Sequence, residues 1–293
     1  MKCVERERVA QGGAGEDVRV LRRLEVRQGF TGEGNDVDAS VCVVVDVETT
    51  GLDHERDAVI QLALRRFRFD ANGVITRIDR PFSWLEDPGR PIPPKMTRLT
   101  GISDADVAGR RMPDQDVLWA LTHSSIVVAH NAAFDRKWIE RRFPDAKGLG
   151  WACSMADVDW EQYGFDGRKL GHLGVQLGFF FDEHRADVDV DAVIALLRHR
   201  FDDGRTAMAV MMGNAEAPSW LVRATGAAFN RKDRLRAHGY HWDLRRGVWA
   251  KEVRDAERPD EERWLADNIY ADGARARASG PGFERRTRWD RYA

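Results

Sequence analysis

Two carboxylates stand where a strongly apolar stretch of this chain ends. Residues 41–45 are four valines and one cysteine, a composition typical of a buried strand. Asp46 and Glu48 follow with one residue between them, so the alternation of side chains along a strand predicts that both project from the same face. Two dehydrated carboxylates side by side repel each other and are unfavourable unless a cation lies between them. The pair therefore predicts a cation site at the end of a strand.

Two further acids, Asp135 and Asp189, also stand beside apolar segments. Each would lie near the end of an element, at the edge of a sheet. A group of four carboxylates suits hard divalent ions with oxygen ligands, Mg²⁺ or Mn²⁺. Two such ions, about 3.5–4 Å apart, can orient the attacking and leaving oxygens of a phosphoryl transfer. The sequence therefore predicts a site for two ions, formed by Asp46, Glu48, Asp135 and Asp189.

One histidine, His184, lies five residues before Asp189. Imidazole exchanges protons near neutral pH, so a well-placed histidine can take the proton of an attacking water. Most loop histidines are inert, but this one closely precedes a carboxylate at the start of a helix. We therefore predict a catalytic role for His184.

The elements that must position these side chains follow from hydrophobic periodicity. Predicted strands cover residues 41–48, 58–69, 74–78 and 126–129. The first three form an antiparallel meander, because an Asn-Gly pair marks a hairpin before the third. The fourth leads Asp135 into an amphipathic helix, and apolar residues at helical spacing after Asp189 predict another helix. The alternation of strands and helices indicates an α/β domain.

Three segments carry a resemblance to a known family: residues 46–51 (DVETTG), 130–135 (HNAAFD) and 184–189 (HRADVD). In this order they resemble the three motifs of the DnaQ-like, DEDDh-type 3′-5′ exonucleases, a group that includes the proofreading epsilon subunit of bacterial DNA polymerase III. The resemblance covers about residues 41–200. It implies a ribonuclease-H-like α/β fold, with a mixed five-stranded sheet flanked by helices. It also implies hydrolysis of nucleic acid from the 3′ end.

The resemblance also implies roles for single residues. Asp46, Glu48 and Asp189 would hold the first metal ion, and Asp46 with Asp135 nearby would hold the second. His184 would be the general base. The remaining implied contacts are to substrate: Thr49 and Thr50 at the terminal 3′-hydroxyl, Leu52 and Phe134 against the last bases.

The rest of the chain suggests additional parts. We predict the following division: an N-terminal extension at residues 1–40, the exonuclease domain at 41–203, a small α+β accessory domain at 218–272 and an Arg-rich tail at 273–293. The extension is expected to pack loosely on the domain edge. The segment before residue 218 is expected to be irregular, and the tail to be disordered.

Five aromatic residues of the accessory segment admit two interpretations. They are Trp220, Tyr240, Trp242, Trp249 and Trp264. In so small a domain such residues more often form the core, but aromatic faces also stack on bases. The surrounding arginines and lysines outnumber the local acids, which favours contact with phosphate. We therefore hypothesise that this segment holds nucleic acid.

Three functions remain open at this stage. The first is a 3′-5′ exonuclease on single-stranded DNA ends, working with a polymerase or repair partner. The second is the same chemistry on short RNA, since nothing in the motifs distinguishes the two sugars. The third is a nucleic-acid-binding or polymerase-scaffold protein that uses the exonuclease fold as a platform. The sequence has no signal peptide and no apolar run of membrane-spanning length, so we expect a cytoplasmic protein.

Overall fold

The computed structural model describes residues 19–244, 246–271 and 280–293. The chain divides into two compact units, one formed by Ala215–Arg291 and the other by the chain up to Asn214 with the last two residues. Each unit has a hydrophobic core of its own. Within the described ranges, no helix combines the length and the apolar character needed to cross a membrane.

The first unit alternates strands and helices, as an α/β domain does. Its strands are β1 (Arg22–Arg23), β2 (Gly29–Phe30), β3 (Ser40–Thr49), β4 (Val59–Phe69), β5 (Ile75–Leu85), β6 (Ile126–Ala129), β7 (Trp151–Cys153) and β8 (Phe179–Phe180). Its helices are α1 (Pro94–Thr100), α2 (Asp104–Val107), α3 (Asp114–Thr122), α4 (Ala132–Arg142), α5 (Leu170–Gln176) and α6 (Ala186–Arg198), followed by α7 (Ala207–Glu216), which reaches the boundary between the units.

The main sheet of this unit is mixed, with the strand order β2-β5-β4-β3-β6-β7. The strands β3, β4 and β5 form the predicted antiparallel meander, and β6 and β7 run parallel to β3. Helices cover both faces of β3: Val43 and Val45 pack with residues of α3 and α4, and α6 lies against β3 and β4. The predicted α/β sheet flanked by helices is therefore confirmed.

Two segments differ from the sequence-based prediction. The N-terminal extension does not pack loosely in residues 19–40: β2 pairs with β5 as a sixth strand of the main sheet, and β1 pairs with β8. Hydrogen bonds of the Thr31 hydroxyl to the carbonyls of Ile75 and Thr76 extend the contact. The segment before residue 218, predicted to be irregular, contains α7. Residues 1–18 lie outside the described residues.

The second unit is an α+β arrangement. Its elements are β9 (Ser219–Arg223), α8 (Lys232–Ala237), β10 (His241–Asp243), β11 (Val248–Arg254), α9 (Arg258–Asn268) and β12 (Gly282–Arg286). The strands form an antiparallel sheet in the order β10-β11-β9-β12. Val222 and Val253 of the sheet join Leu235 of α8 and Leu265 of α9 in one core.

The prediction of a disordered tail is wrong for residues 280–293. β12 pairs with β9 over five residues, from Gly282 opposite Arg223 to Arg286 opposite Ser219. Glu284 of β12 forms an ion pair across the strands with Arg223 at 2.7 Å and one within its own strand with Arg286 at 2.9 Å. Composition alone indicated disorder because an Arg-rich segment lacks apolar surface, whereas the strand with which this segment pairs lies elsewhere in the sequence. The part of the predicted tail at residues 272–279 is outside the described ranges.

Candidate active site

Three carboxylates meet at the end of β3. Asp46 and Glu48 follow Cys42 and Val44 on one face of this strand, and α6 packs against the strand with Asp189 in its first turn. One oxygen of each of these three carboxylates lies within 4.8 Å of the others. Glu48 and Asp189 are buried, and Asp46 is partly buried. An oxygen-only group at this separation fits a hard divalent ion.

Asp135 lies beside this group without joining it. Asn131, in the left-handed region that asparagine tolerates (φ 99°), turns the chain from β6 into α4 and places Asp135 in the first turn. Its Oδ1 accepts a hydrogen bond from the backbone N–H of Val47 at 3.2 Å. The structure therefore brings three of the four predicted ligands together. The fourth, Asp135, is bonded to the backbone of β3 at Val47, between Asp46 and Glu48.

Burial and mutual repulsion disfavour the ionised forms of these acids. Burial, and to a lesser extent the charge of Asp189, raises the pKa of Glu48 from 4.5 to about 7. Burial also raises the pKa of Asp46, and the charges of Asp135, Asp189 and Glu48 act in the same direction. The pKa of Asp135 is raised by burial as well. A bound cation would offset both burial and repulsion, so the donor set fits a metal ion.

The loop before α6 carries His184. This residue is exposed and adopts a left-handed backbone conformation (φ 64°), which is uncommon for residues other than glycine and asparagine. The carboxylate of Asp189 accepts a hydrogen bond from the backbone N–H of Arg185 at 2.8 Å and another from that of His184. The predicted catalytic histidine is thus tied through its backbone to an acid of the cluster.

The two predicted threonines differ in their free hydrogen-bonding capacity. The Thr49 hydroxyl donates to the carbonyl of Gly51 at 2.6 Å, which leaves its lone pairs able to accept. The Thr50 hydroxyl donates to Asp57 at 3.1 Å and accepts from the N–H of Ala58 at 3.0 Å and from Arg90 at 2.9 Å. A hydroxyl has one donor and two acceptor positions, so that of Thr50 is already saturated.

Asp57 and Arg90 brace the loop that follows β3, and the sequence analysis missed both. Besides Thr50, Asp57 accepts from the N–H of Asp53 at 3.0 Å and from Arg90 at 3.1 Å. A side chain at Gly51 would put its Cβ 2.3 Å from the Asp57 carboxylate, so the loop closes tightly over this acid. No sequence pattern links residue 90 to residue 50, because the contact depends on the folded loop.

Leu52 and Phe134, the two predicted base contacts, line one depression. Leu52 is 82% exposed, so its apolar side chain is open to contact from solvent. Phe134 is half-buried and lies 5.8 Å from the ring of Trp138. Lys137 lines the same depression. The structure therefore brings an aliphatic, an aromatic and a cationic group together beside α4.

A larger cleft of about 720 Å³ adjoins the acidic group on the side of β4. Gln61, which lies opposite Glu48 in the sheet, forms part of its wall. Arg110, Arg111 and Arg185 line it as well. The sequence analysis missed these arginines, since they come from separate segments that only the fold brings together.

The fold and the acidic site together define a nuclease domain of the ribonuclease-H-like class. Residues 43–197, just over half of the chain, match the family model described as Exonuclease (RNase_T). The chain therefore belongs to the DnaQ-like 3′-5′ exonuclease family.

Individual relatives match the same part of the chain. It is 41% identical over 169 residues to the PolC-type DNA polymerase III of Listeria welshimeri, and 31% identical over 168 residues to that of Clostridium perfringens. Each match covers 54% of this chain and 11% of the relative, so the matched part spans about a tenth of these proteins.

A solved structure shares the fold. The zinc-bound complex of E. coli exonuclease I with single-stranded DNA is 16% identical to this chain, with a TM-score of 0.52. The match covers 74% of this chain and 63% of that one.

Proposed function

We propose that this protein is a 3′-5′ exonuclease that removes nucleotides from the ends of single-stranded DNA. The observation that carries the proposal is the convergence of Asp46, Glu48 and Asp189 in a member of the DnaQ-like family. DNA is favoured over RNA because the matched relatives are DNA polymerases and the matched structure holds single-stranded DNA. A polymerase or repair protein as partner, and a cytoplasmic location, are parts of the same proposal.

The site would work with two divalent ions, Mg²⁺ or Mn²⁺. Asp46, Glu48 and Asp189 would hold one of them, and Asp46 with Asp135 the other. Bound ions of this kind polarise the phosphodiester and orient the attacking and leaving oxygens. The carboxylates contribute their raised affinity for cations, because each of them is disfavoured in the ionised form without one.

His184 would accept the proton of the attacking water. Two observations support this role: His184 is exposed to solvent, and its backbone N–H is bonded to Asp189. The imidazole is therefore attached to the chain next to the acidic group. The unusual backbone conformation supports it as well, because residues in such conformations are enriched at functional sites.

The substrate end would be held by the loop after β3 and by α4. The Thr49 hydroxyl can still accept a hydrogen bond from a terminal 3′-hydroxyl. Thr50 would stabilise the loop through its bonds to Asp57 and Arg90, and it would contact substrate only by exchanging one of these bonds. Leu52 and Phe134 would pack on the terminal base. Arg110, Arg111 and Arg185 give the adjoining cleft cationic groups that suit a phosphate chain.

The test is digestion of matched DNA and RNA oligonucleotides labelled at the 5′ end. We expect a ladder of products that shorten from the 3′ end of single-stranded DNA with Mg²⁺ or Mn²⁺, and no products in excess chelator. A phosphorothioate at the 3′-terminal linkage is the control for polarity, and Asp46→Asn is the control for contaminating nucleases. Faster digestion of RNA would contradict the proposed substrate. No digestion of either polymer would contradict the proposed reaction and favour a scaffold role.

A further inference from the structure

The structure divides the five aromatic residues for which the sequence allowed either a core role or a base-stacking role. Tyr240 is 3% exposed, and the ring of Trp264 stacks on His238 at 3.5 Å. Tyr240 belongs to the core of the second unit, and Trp220, Trp249 and Trp264 are partly buried against that core. Trp242, by contrast, is 47% exposed. The core therefore accounts for most of this set and leaves Trp242 at the surface.

Trp242 is one end of a continuous surface. We call it the basic–aromatic surface and define it by Phe229, Lys232, Arg236, Trp249 and Trp242. The Lys232 ammonium lies 4.5 Å from the Phe229 ring centre, and the Arg236 guanidinium lies 5.7 Å from that of Trp249. The rings of Trp249 and Trp242 meet edge to face at 5.6 Å. Lys232 and Arg236 are four residues apart on α8 and so share one helix face.

This surface exposes an aromatic ring to water in the free protein. Phe229 is 83% exposed, so a large apolar ring is left in contact with water. Arg236 pairs with Asp233 at 3.6 Å in a contact in which both side chains are mostly exposed. Such a pair contributes little to stability. Phe229, Trp242 and Arg236 are exposed to solvent, where a ligand can reach them.

We propose that the basic–aromatic surface binds single-stranded nucleic acid, as a second site separate from the acidic one. Alternating aromatic and cationic groups match an unpaired strand, whose bases stack on rings while its phosphates approach the cations. The net charge of the second unit also suits a phosphate chain, because its basic residues outnumber its acids. A paired duplex offers no free base faces to Phe229 or Trp242, so binding should discriminate against it.

The experiment measures binding of a fluorescent oligo(dT) of about 20 nucleotides to the full chain in chelator, which prevents hydrolysis. We expect Trp242→Ala and Phe229→Ala each to weaken binding about 5- to 100-fold, the range typical of lost base stacking. Trp242→Phe keeps an aromatic face and should bind nearly as well as the wild type. Lys232→Gln should reduce the salt dependence by about one phosphate contact.

The matched control is Trp289→Ala. Trp289 lies in the same unit, is also 47% exposed and also carries an arginine over its ring, Arg288 at 4.7 Å, but it is not part of the surface. Equal weakening by this control, unchanged binding in Trp242→Ala, or duplex binding as tight as single-strand binding would each overturn the proposal. Binding of an acidic protein in place of oligo(dT) would overturn it too. The inference is independent of the proposed hydrolysis: loss of that activity in the wild type would leave the binding comparison intact.

Discussion

The acidic group of the first unit and the basic–aromatic surface of the second both concentrate like charges. The acids are buried, whereas the cations are in contact with solvent. Glu48, Asp135 and Asp189 are each less than 10% exposed, and their charges raise one another's cost of ionisation. Lys232 and Arg236 are spread over a helix face in contact with solvent, where repulsion is screened. A buried group of acids is stable when a cation or bound protons offset its charge. An exposed group of cations is stable alone and can bind many phosphates weakly.

The largest effect should follow from removing one acid of the buried group. Asp189→Asn should lower hydrolysis by about 10³-fold or more, because a charged stabiliser of the transition state is lost. It should also reduce the rise in melting temperature on adding Mn²⁺, since a ligand stabilises only the state that binds it. Asp187→Asn is the control on the same helix, as Asp187 is outside the converging group. Full activity of Asp189→Asn in Mg²⁺ would contradict a metal-dependent site.

The next effect concerns the exposed partner of that group, His184. His184→Asn should lower turnover about 10²- to 10⁴-fold and leave substrate affinity nearly unchanged, which is the behaviour of a general base. Asparagine is chosen because it tolerates the left-handed conformation, so the loop should keep its shape. Single-turnover rates and oligonucleotide affinity would be measured in parallel. Equal losses in both would instead mark His184 as a residue that positions the substrate.

A smaller effect should follow from weakening the loop brace. Asp57→Asn or Arg90→Ala should raise KM about 10-fold with a smaller change in kcat. In either variant the Thr50 hydroxyl loses a hydrogen bond to a charged partner, so the loop is held less firmly. Arg56→Ala is the matched control, since Arg56 pairs with Asp53 of the same loop in an exposed contact. A change confined to kcat would show that the brace acts on the chemistry and not on substrate placement.

The smallest effect is the pH dependence of stability without metal. Because the folded pKa of Glu48 is raised to about 7, the folded state holds this proton more tightly than the unfolded state. Its contribution is therefore complete below about pH 4.5 and is lost as pH rises through about 7. In chelator, the melting temperature should fall by on the order of 5 °C between about pH 5.5 and pH 8.5. Glu48→Gln should reduce this fall, to which Asp135 and Asp189 also contribute because their pKa values are raised to about 8 and about 7, and saturating Mn²⁺ should reduce it as well. An identical profile for Glu48→Gln would exclude this group as the cause.

The parts of the site that the sequence predicted are those that depend on local periodicity. Strand alternation after Val43 and Val45 was enough to put Asp46 and Glu48 on one face. Helical spacing after Asp189 was enough to place it in the first turn of α6. These patterns are short-range, so they survive without knowledge of the fold.

The parts that the sequence did not predict depend on long-range contacts. The bond from Arg90 to Thr50 crosses 40 residues, and the lining of the larger cleft draws on four segments. The hydrogen bond from the backbone N–H of Val47 to Asp135 spans 88 residues of sequence. The division of the aromatic residues into core and surface depends on where α8 and α9 pack. None of these leaves a periodic pattern in the chain.

The pairing of β12 with β9 has a consequence for biosynthesis. β9 is made more than 50 residues before β12, and until residues 282–286 leave the ribosome one of its edges has no backbone partner. The nascent second unit therefore passes through a stage in which β9, β10 and β11 can assemble while an adhesive strand edge stays open. A ribosome that stalls after α9 would release a chain in this state, and such chains should be preferred clients of chaperones that bind exposed strands.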